Sequence, residues 1–204
     1  MVLRLSHAGA GLGEMFEKFM KHNLEAVREK GAKEVVFSCP SCYQMWREHY
    51  PQRIQGFPYH RVSVEPDQKG SNPPCRDKAC LVSTIKTVTY HDPCDLGRGS
   101  RIFEEPMEII GSIPGVQLVE LPNTRENCQC CGGGGNLEMV DAKLSAEISK
   151  RKIQEVMGTG AQAVITSCQQ CVRTMTTHVR RNKVYLQVMD ITQLVHKALK
   201  PGNG

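Results

Sequence analysis

The sequence predicts an α/β protein built as two related lobes, each a parallel sheet flanked by helices, with the first lobe truncated. Three observations carry that prediction. The segment Gly31-Ala-Lys-Glu-Val-Val-Phe-Ser-Cys-Pro-Ser-Cys42 aligns without gaps on Gly160-Ala-Gln-Ala-Val-Ile-Thr-Ser-Cys-Gln-Gln-Cys171, so the chain carries an internal repeat. Each copy is preceded by apolar residues at helical spacing, Phe16, Met20, Leu24 and Val27 in the first and Leu137, Val140, Leu144 and Ile148 in the second. Each copy then reads helix, glycine stop, short apolar strand, C-x-x-C and helix, an alternation that suits a parallel sheet covered by helices.

The remaining elements follow in order. Thr87–His91 is a β-branched and aromatic run that leads straight into Asp92-Pro93-Cys94. A helix is expected near 102–110, a Pro-Gly turn at 114–115 and a strand at 116–121. After the second C-x-x-C and its helix come a strand at 184–188 and a closing helix at Ile191–Leu199. The organisation is therefore residues 1–60 as a partial first repeat, 61–86 as a linker and 87–199 as a complete second repeat. In open α/β sheets the carboxyl edge is where ligands bind, and Cys39, Cys94 and Cys168 all follow the carboxyl ends of predicted strands.

Composition narrows the function classes. With 204 residues and 40% apolar content the chain can bury a core. Its ten cysteines occur as C-C and C-x-x-C clusters with no charged-then-apolar leader, which reads as metal ligation in a reducing, cytoplasmic compartment. No apolar run reaches the roughly 20 residues of a membrane span, so contact with the inner face of a membrane is expected only through a partner. The net charge of +5 is spread among acidic residues, and aromatics make up 5% of the chain, so nucleic acid is not an expected partner.

The cysteines carry the chemistry. Cys94, the adjacent pair Cys130 and Cys131, and Cys168 with Cys171 form three islands separated by 35 and 36 residues. Tetrahedral zinc takes four ligands and rarely two consecutive ones, so five thiols in this pattern suit a multi-iron cluster. The run Gly132–Gly135 leaves room for a tight turn whose N–H groups face sulfur; a flexible loop or a phosphate cradle is the alternative. His91 is a candidate catalytic residue that could give a hydrogen bond or proton to a reacting sulfur; the bland alternative packs His91 and uses Asp92 as a helix cap. Cys128 reads as a buried or spare thiol.

Tyr-His-Asp-Pro-Cys at 90–94, Cys-Cys-Gly-Gly-Gly-Gly at 130–135 and Ser-Cys-Gln-Gln-Cys at 167–171 resemble the cysteine-rich CCG domain. That family includes the B-type and D-type subunits of heterodisulfide reductase, the iron–sulfur subunit of glycolate oxidase, the C-type subunit of anaerobic glycerol-3-phosphate dehydrogenase and lactate-utilisation proteins. The resemblance implies an oxidoreductase subunit with a four-iron, 4Fe-4S cluster, non-cubane in the best-studied members, on Cys94, Cys130, Cys131, Cys168 and Cys171. It also implies partners: a flavoprotein or ferredoxin-type redox subunit, and quinone or a membrane subunit indirectly.

The first repeat departs from this pattern. Aligning Glu14-Met15 with Glu138-Met139 puts Ser6-His7-Ala8 where Cys130-Cys131-Gly132 stand, leaving only Cys39 and Cys42. A truncated product, a misplaced start or a degenerate repeat would each give this result. Cys39 and Cys42 with the linker's Cys75 and Cys80 form a candidate four-thiolate zinc site, and a zinc-stabilised structural or assembly module is the rival to a redox subunit. Strand, C-P-x-C and helix is also how a thioredoxin-like dithiol appears, a reading that the repeat argues against.

Overall fold

A computed structural model describes residues 13–32, 35–50, 85 and 87–199. The chain divides into two compact units, residues 1–63 and 64–204. In the first, helix α1 (Gly13–Glu29) ends at Gly31, whose left-handed backbone (φ +61°) lets its N–H reach Arg28 O at 2.9 Å. Helix α2 (Pro40–His49) opens with Cys39 as its N-cap and Pro40 in the first turn, where a missing N–H costs nothing. Met20, Val35, Phe37, Trp46 and Tyr50 form this unit's core. Trp46 and Tyr50 stack with centroids 4.0 Å apart, and Asn23 donates to the Tyr50 hydroxyl at 3.1 Å.

The second unit is a helix-flanked, four-stranded, all-parallel sheet in the order β2-β1-β3-β4. Strand β1 is Thr87–His91, β2 Gln117–Leu118, β3 Ala163–Thr166 and β4 Gln187–Asp190. Val88 and Tyr90 of β1, Ala163 and Ile165 of β3 and Met189 of β4 face one way, onto helices α3 (Glu104–Gly111) and α7 (Ile191–Leu199). Successive side chains of a strand alternate, so His91 and Thr166 lie on the opposite face. There Val164 packs with Ile153 and Val156 of α5 (Ala142–Gly158) and with Met175 and Val179 of α6 (Gln169–Arg181). A one-turn helix, α4 (Leu137–Val140), precedes α5.

Several expectations need correction. The sheet of the described residues lies wholly in the second unit; residues 35–37 of the first are not paired in a ladder, and Val36 is 72% exposed. No described segment of that unit is a strand that could pair with them. The strand expected at 116–121 pairs only at Gln117–Leu118, because β2 is an edge strand that leaves the ladder after Val119 N–H bonds Val88 O at 2.8 Å. The last strand begins at Gln187 and not at 184, since Val184 N–H is still turned back onto Val179 O.

The helix expected through Leu137, Val140, Leu144 and Ile148 breaks at Asp141, whose carboxylate accepts from Leu144 N–H at 2.9 Å and starts α5 as an N-cap. Met139, Val140 and Leu144 are exposed, whereas Ser145, Ser149 and Lys152 are buried. Of this stripe, Ser145 bonds the loop that carries Gly132.

Candidate metal centre

The site is assembled where β1 and β3 end. Beyond His91, Pro93 and Cys94 open a π-helical turn at Asp95–Gly99, in which Gly97 N–H bonds Pro93 O at 2.8 Å and Gly99 N–H bonds Cys94 O at 2.9 Å. Beyond Thr166, Cys168 is the N-cap of α6 and Cys171 lies in its first turn. The loop bearing Cys128, Cys130 and Cys131 comes down between them and is fixed by its glycines. A Cβ on Gly132, which has φ +87°, would stand 2.5 Å from the Ser145 carbonyl, and one on Gly133 would stand 2.1 Å from Thr174 Oγ1. No side chain fits at either position, so these two glycines are a close-packed turn. Ser145 Oγ donates to Gly132 O at 2.7 Å and Gln170 Nε2 to Gly133 O at 2.8 Å, which gives the buried Ser145 of α5 its partner.

Thiols of the second and third islands meet. Cys131 Sγ lies 3.2 Å from Cys171 Sγ, and Gly132 N–H donates to Cys130 Sγ at 3.3 Å. The ligand atoms of His91, Cys131 and Cys171 all lie within 4.8 Å of one another, the group of this kind found among the described residues. Cys171 lowers the Cys168 thiol, and Cys94 feels the charges of Cys131 and Cys168. Cys131, Cys168 and Cys171 are buried, Cys94 is half-buried and Cys130 is exposed, so the site opens on the Cys130 side.

The electrostatics show how this set behaves without an added cation. Hydrogen bonds from Cys130 and Cys171 hold Cys131 far below the ordinary thiol range, and Cys171 does the same, more weakly, for Cys168. The donors move the other way: Cys131 pushes Cys130 and Cys171 up, while burial and then Asp95 push Cys94 up to about 11. Five adjacent thiols thus cannot all ionise by themselves, because like charges in a buried pocket repel. A cationic metal cluster would favour the ionised form of the thiols that held it, so the donor set fits an iron–sulfur group, and in the glycine turn Gly132 N–H already faces the sulfur of Cys130.

His91 is buried, with Nδ1 3.4 Å from Cys128 Sγ. Burial pulls the imidazole down, but contact with Cys128 and Cys131 outweighs it and raises the ring to about 9. Asp92 does not cap a helix: its Oδ2 accepts from Arg125 N–H at 2.9 Å, holding that residue in a left-handed conformation (φ 54°) while Arg125 pairs with Glu104.

Sequence reasoning missed the groups around Cys128. Lys152 is completely buried, with Nζ 3.5 Å from Cys128 Sγ and 2.7 Å from Glu155 Oε2, and Glu155 Oε1 accepts from Asn123 Nδ2 at 2.8 Å. Burial raises the Cys128 thiol, yet His91 and Lys152 together bring it below its ordinary value. The available signal was Ser145, Ser149 and Lys152 at spacings of four and three on one face of α5. Of the second candidate site, Cys39 and Cys42 are half-buried thiols, while Cys75 and Cys80 lie outside the described residues.

Comparison with known proteins fits this geometry. The family model of the cysteine-rich CCG domain matches residues 6–47 and 88–176, more than half of the chain. The chain belongs to the CCG family. Among curated CCG relatives, the D-type subunit of dihydromethanophenazine:CoB–CoM heterodisulfide reductase from Methanosarcina acetivorans is 30% identical over 92% of this chain and 46% of its own length. The B-type subunit of the CoM/CoB fumarate reductase of Methanothermobacter marburgensis is 34% identical over 91% of this chain and 36% of its own. FadF of Bacillus subtilis, named a probable iron–sulfur-binding oxidoreductase, is 26% identical over 91% and 26%. This CCG chain therefore spans less than half the length of these relatives. Among its described residues no helix is long and apolar enough to cross a membrane.

Proposed function

We propose that this chain is an iron–sulfur redox subunit whose second unit holds a four-iron cluster on Cys94, Cys130, Cys131, Cys168 and Cys171. The observation that supports the reading is the contact of thiols from two distant segments, Cys131 and Cys171, beside a turn that only glycine can make, with Cys94 from a third segment near enough to feel the charge of Cys131. When bound, the cluster supplies one-electron chemistry to the site. The chain's own residues supply the rest. Gly132 N–H donates to Cys130 Sγ, a contact of the kind that raises a cluster's reduction potential. His91 keeps a proton on its imidazole beside Cys131 and Cys128, where it can serve a sulfur that is being reduced. Cys130, on the exposed side, marks where electrons or a disulfide substrate would meet the site.

The names of the relatives support two uses of such a centre, electron relay and disulfide cleavage. Either requires a partner, a flavoprotein or ferredoxin-type subunit that delivers electrons, with quinone or a membrane subunit further along. Anaerobic purification followed by iron, sulfide and zinc analysis tests the reading. The expected result is brown protein with about four irons per chain, and a large loss of iron in Cys131→Ser or Cys171→Ser. Colourless protein carrying zinc alone would overturn it in favour of a structural module.

A further inference from the structure

The loop that carries the adjacent cysteine pair also carries Cys128, a buried thiol that the five-cysteine set does not use. We propose that Cys128, held by Lys152, is a positioning residue for the metal centre: it fixes the ring of His91 against Cys131 and so helps set the reduction potential of the group bound there. The inference rests on the redox-subunit reading above and extends it to residues outside the ligand set.

The backbone of Cys128 is tied down on both sides. Its N–H bonds Arg125 O at 3.1 Å, and Arg125 N–H is held in turn by the Asp92 carboxylate. Its carbonyl accepts from Arg98 Nη1 at 2.7 Å, and Arg98 belongs to the π-helical turn that follows Cys94. The same nitrogen also reaches Glu126 O at 3.3 Å. The loop is thus anchored to the segment of His91 and Cys94 before it arrives at Cys130.

The thiol is then gripped by two side chains. Lys152 Nζ lies 3.5 Å from Cys128 Sγ, and because an ammonium has only N–H groups to offer, the sulfur is the acceptor there. The same sulfur lies 3.4 Å from His91 Nδ1. Lys152 cannot swing away: its Nζ is bonded to Glu155 Oε2 at 2.7 Å, and Glu155 Oε1 accepts from both the backbone N–H and the Nδ2 of Asn123. Cys128, His91 and Lys152 are all buried, so bulk water does not stand in for any of these contacts. A buried ion pair is often no more stabilising than apolar residues of the same volume, so stability alone does not account for one that sets its ammonium on a sulfur.

The ring held in this way faces the ligands. A ligand atom of His91 lies within 4.8 Å of those of Cys131 and Cys171. Pairing with Thr166 fixes the backbone of His91 in the sheet, yet an imidazole turns about its Cβ–Cγ bond in a broad well that backbone pairing does not narrow. Contact at Nδ1 narrows it, because turning the ring away would strip a buried nitrogen and a buried sulfur of their partner. Hydrogen bonds to ligand sulfurs are among the levers that set a cluster's potential, and the groups behind them act by orientation.

Full-length protein labelled with nitrogen-15 in histidine is loaded anaerobically with ferrous iron and sulfide, and the reduced cluster is followed by pulsed EPR and by potentiometric titration. The expected result is a nitrogen coupling that His91→Gln abolishes. Cys128→Ala should keep the wild-type iron content, weaken or spread that coupling and lower the midpoint potential. Cys128→Ser keeps an acceptor for Lys152 and a polar contact for His91, so it should restore much of both. Lys152→Met with Glu155→Leu should move the midpoint in the same direction by less, since Cys128 then keeps His91. A coupling and midpoint unchanged in Cys128→Ala, or no recovery in Cys128→Ser, would overturn the positioning role, and loss of iron in both Cys128 variants would overturn it by making Cys128 a ligand. Wild-type protein that takes up no iron would instead overturn the redox-subunit reading on which this one stands.

Discussion

Two turns of nearly the same sequence, Ser38-Cys-Pro-Ser-Cys42 and Ser167-Cys-Gln-Gln-Cys171, sit at the start of a helix and are finished by different neighbours. The second is roofed by sulfur and glycine, with Cys131 on Cys171 and Gly133 against Thr174. The first is floored by rings that touch in series, Tyr43 on Phe37, Phe37 on Trp46 and Trp46 on Tyr50. The comparison teaches that a C-x-x-C turn supplies two thiols on a helix start and nothing more. What it does depends on whether other segments bring in further ligands.

The largest expected effect separates the units through their buried polar groups. Lys152→Met leaves Glu155 buried without its cation, so it should destabilise the protein by about 3–5 kcal/mol in urea unfolding, whereas Lys152→Met with Glu155→Leu should recover most of that loss. A loss in the double variant equal to the sum of the losses in Lys152→Met and Glu155→Leu alone would show that the pair is not coupled. Trp46→Ala should cost the first unit a comparable ~3–5 kcal/mol and leave iron content unchanged. Loss of iron would break the comparison.

Gly132→Ala comes next, at about 1–3 kcal/mol, because its Cβ meets a carbonyl that cannot move aside. It should also lower iron content, read by elemental analysis, and Gly134→Ala should do neither, since nothing lies within 4 Å of its added carbon. Asp141→Ala should cost about 1 kcal/mol through loss of the α5 cap.

The smallest effect is in pH. Burial raises Glu155, but Lys152 and Asn123 outweigh it and hold the carboxyl below its usual range. A carboxylate depressed on folding contributes stability above its unfolded value, about 4.3, and loses it as pH falls through the lower folded value. The urea midpoint should therefore drop below about pH 4.3 more in the wild type than in the Lys152→Met, Glu155→Leu double variant.

Much of this architecture could be read from residue patterns. The glycine stops at Gly31 and Gly160, both with positive φ, followed from their position after helical periods. Strand β1 and helix α7 fell at their expected bounds, since β-branched runs and amphipathic periods are local signals. The buried face of α5 was not legible, because periodicity assumes that apolar residues point inward and here the helix faces a glycine loop that needs hydrogen-bond partners. The surroundings of Cys128 were hidden for a related reason: His91 of β1 and Lys152 of α5, the latter paired with Glu155, meet it from separate elements, and no local pattern encodes that meeting.

The alternation of side chains along β1 acts as an address. Tyr90 is delivered to the helix α3 side and His91 to the sulfur side by nothing more than odd and even position. Loops at this edge can lengthen or shorten without changing that delivery, but one residue inserted inside β1 would send the imidazole into the oily layer and a tyrosine among the thiols. Drift in the connections is therefore tolerable across descendants of this fold, while strand length is held by parity.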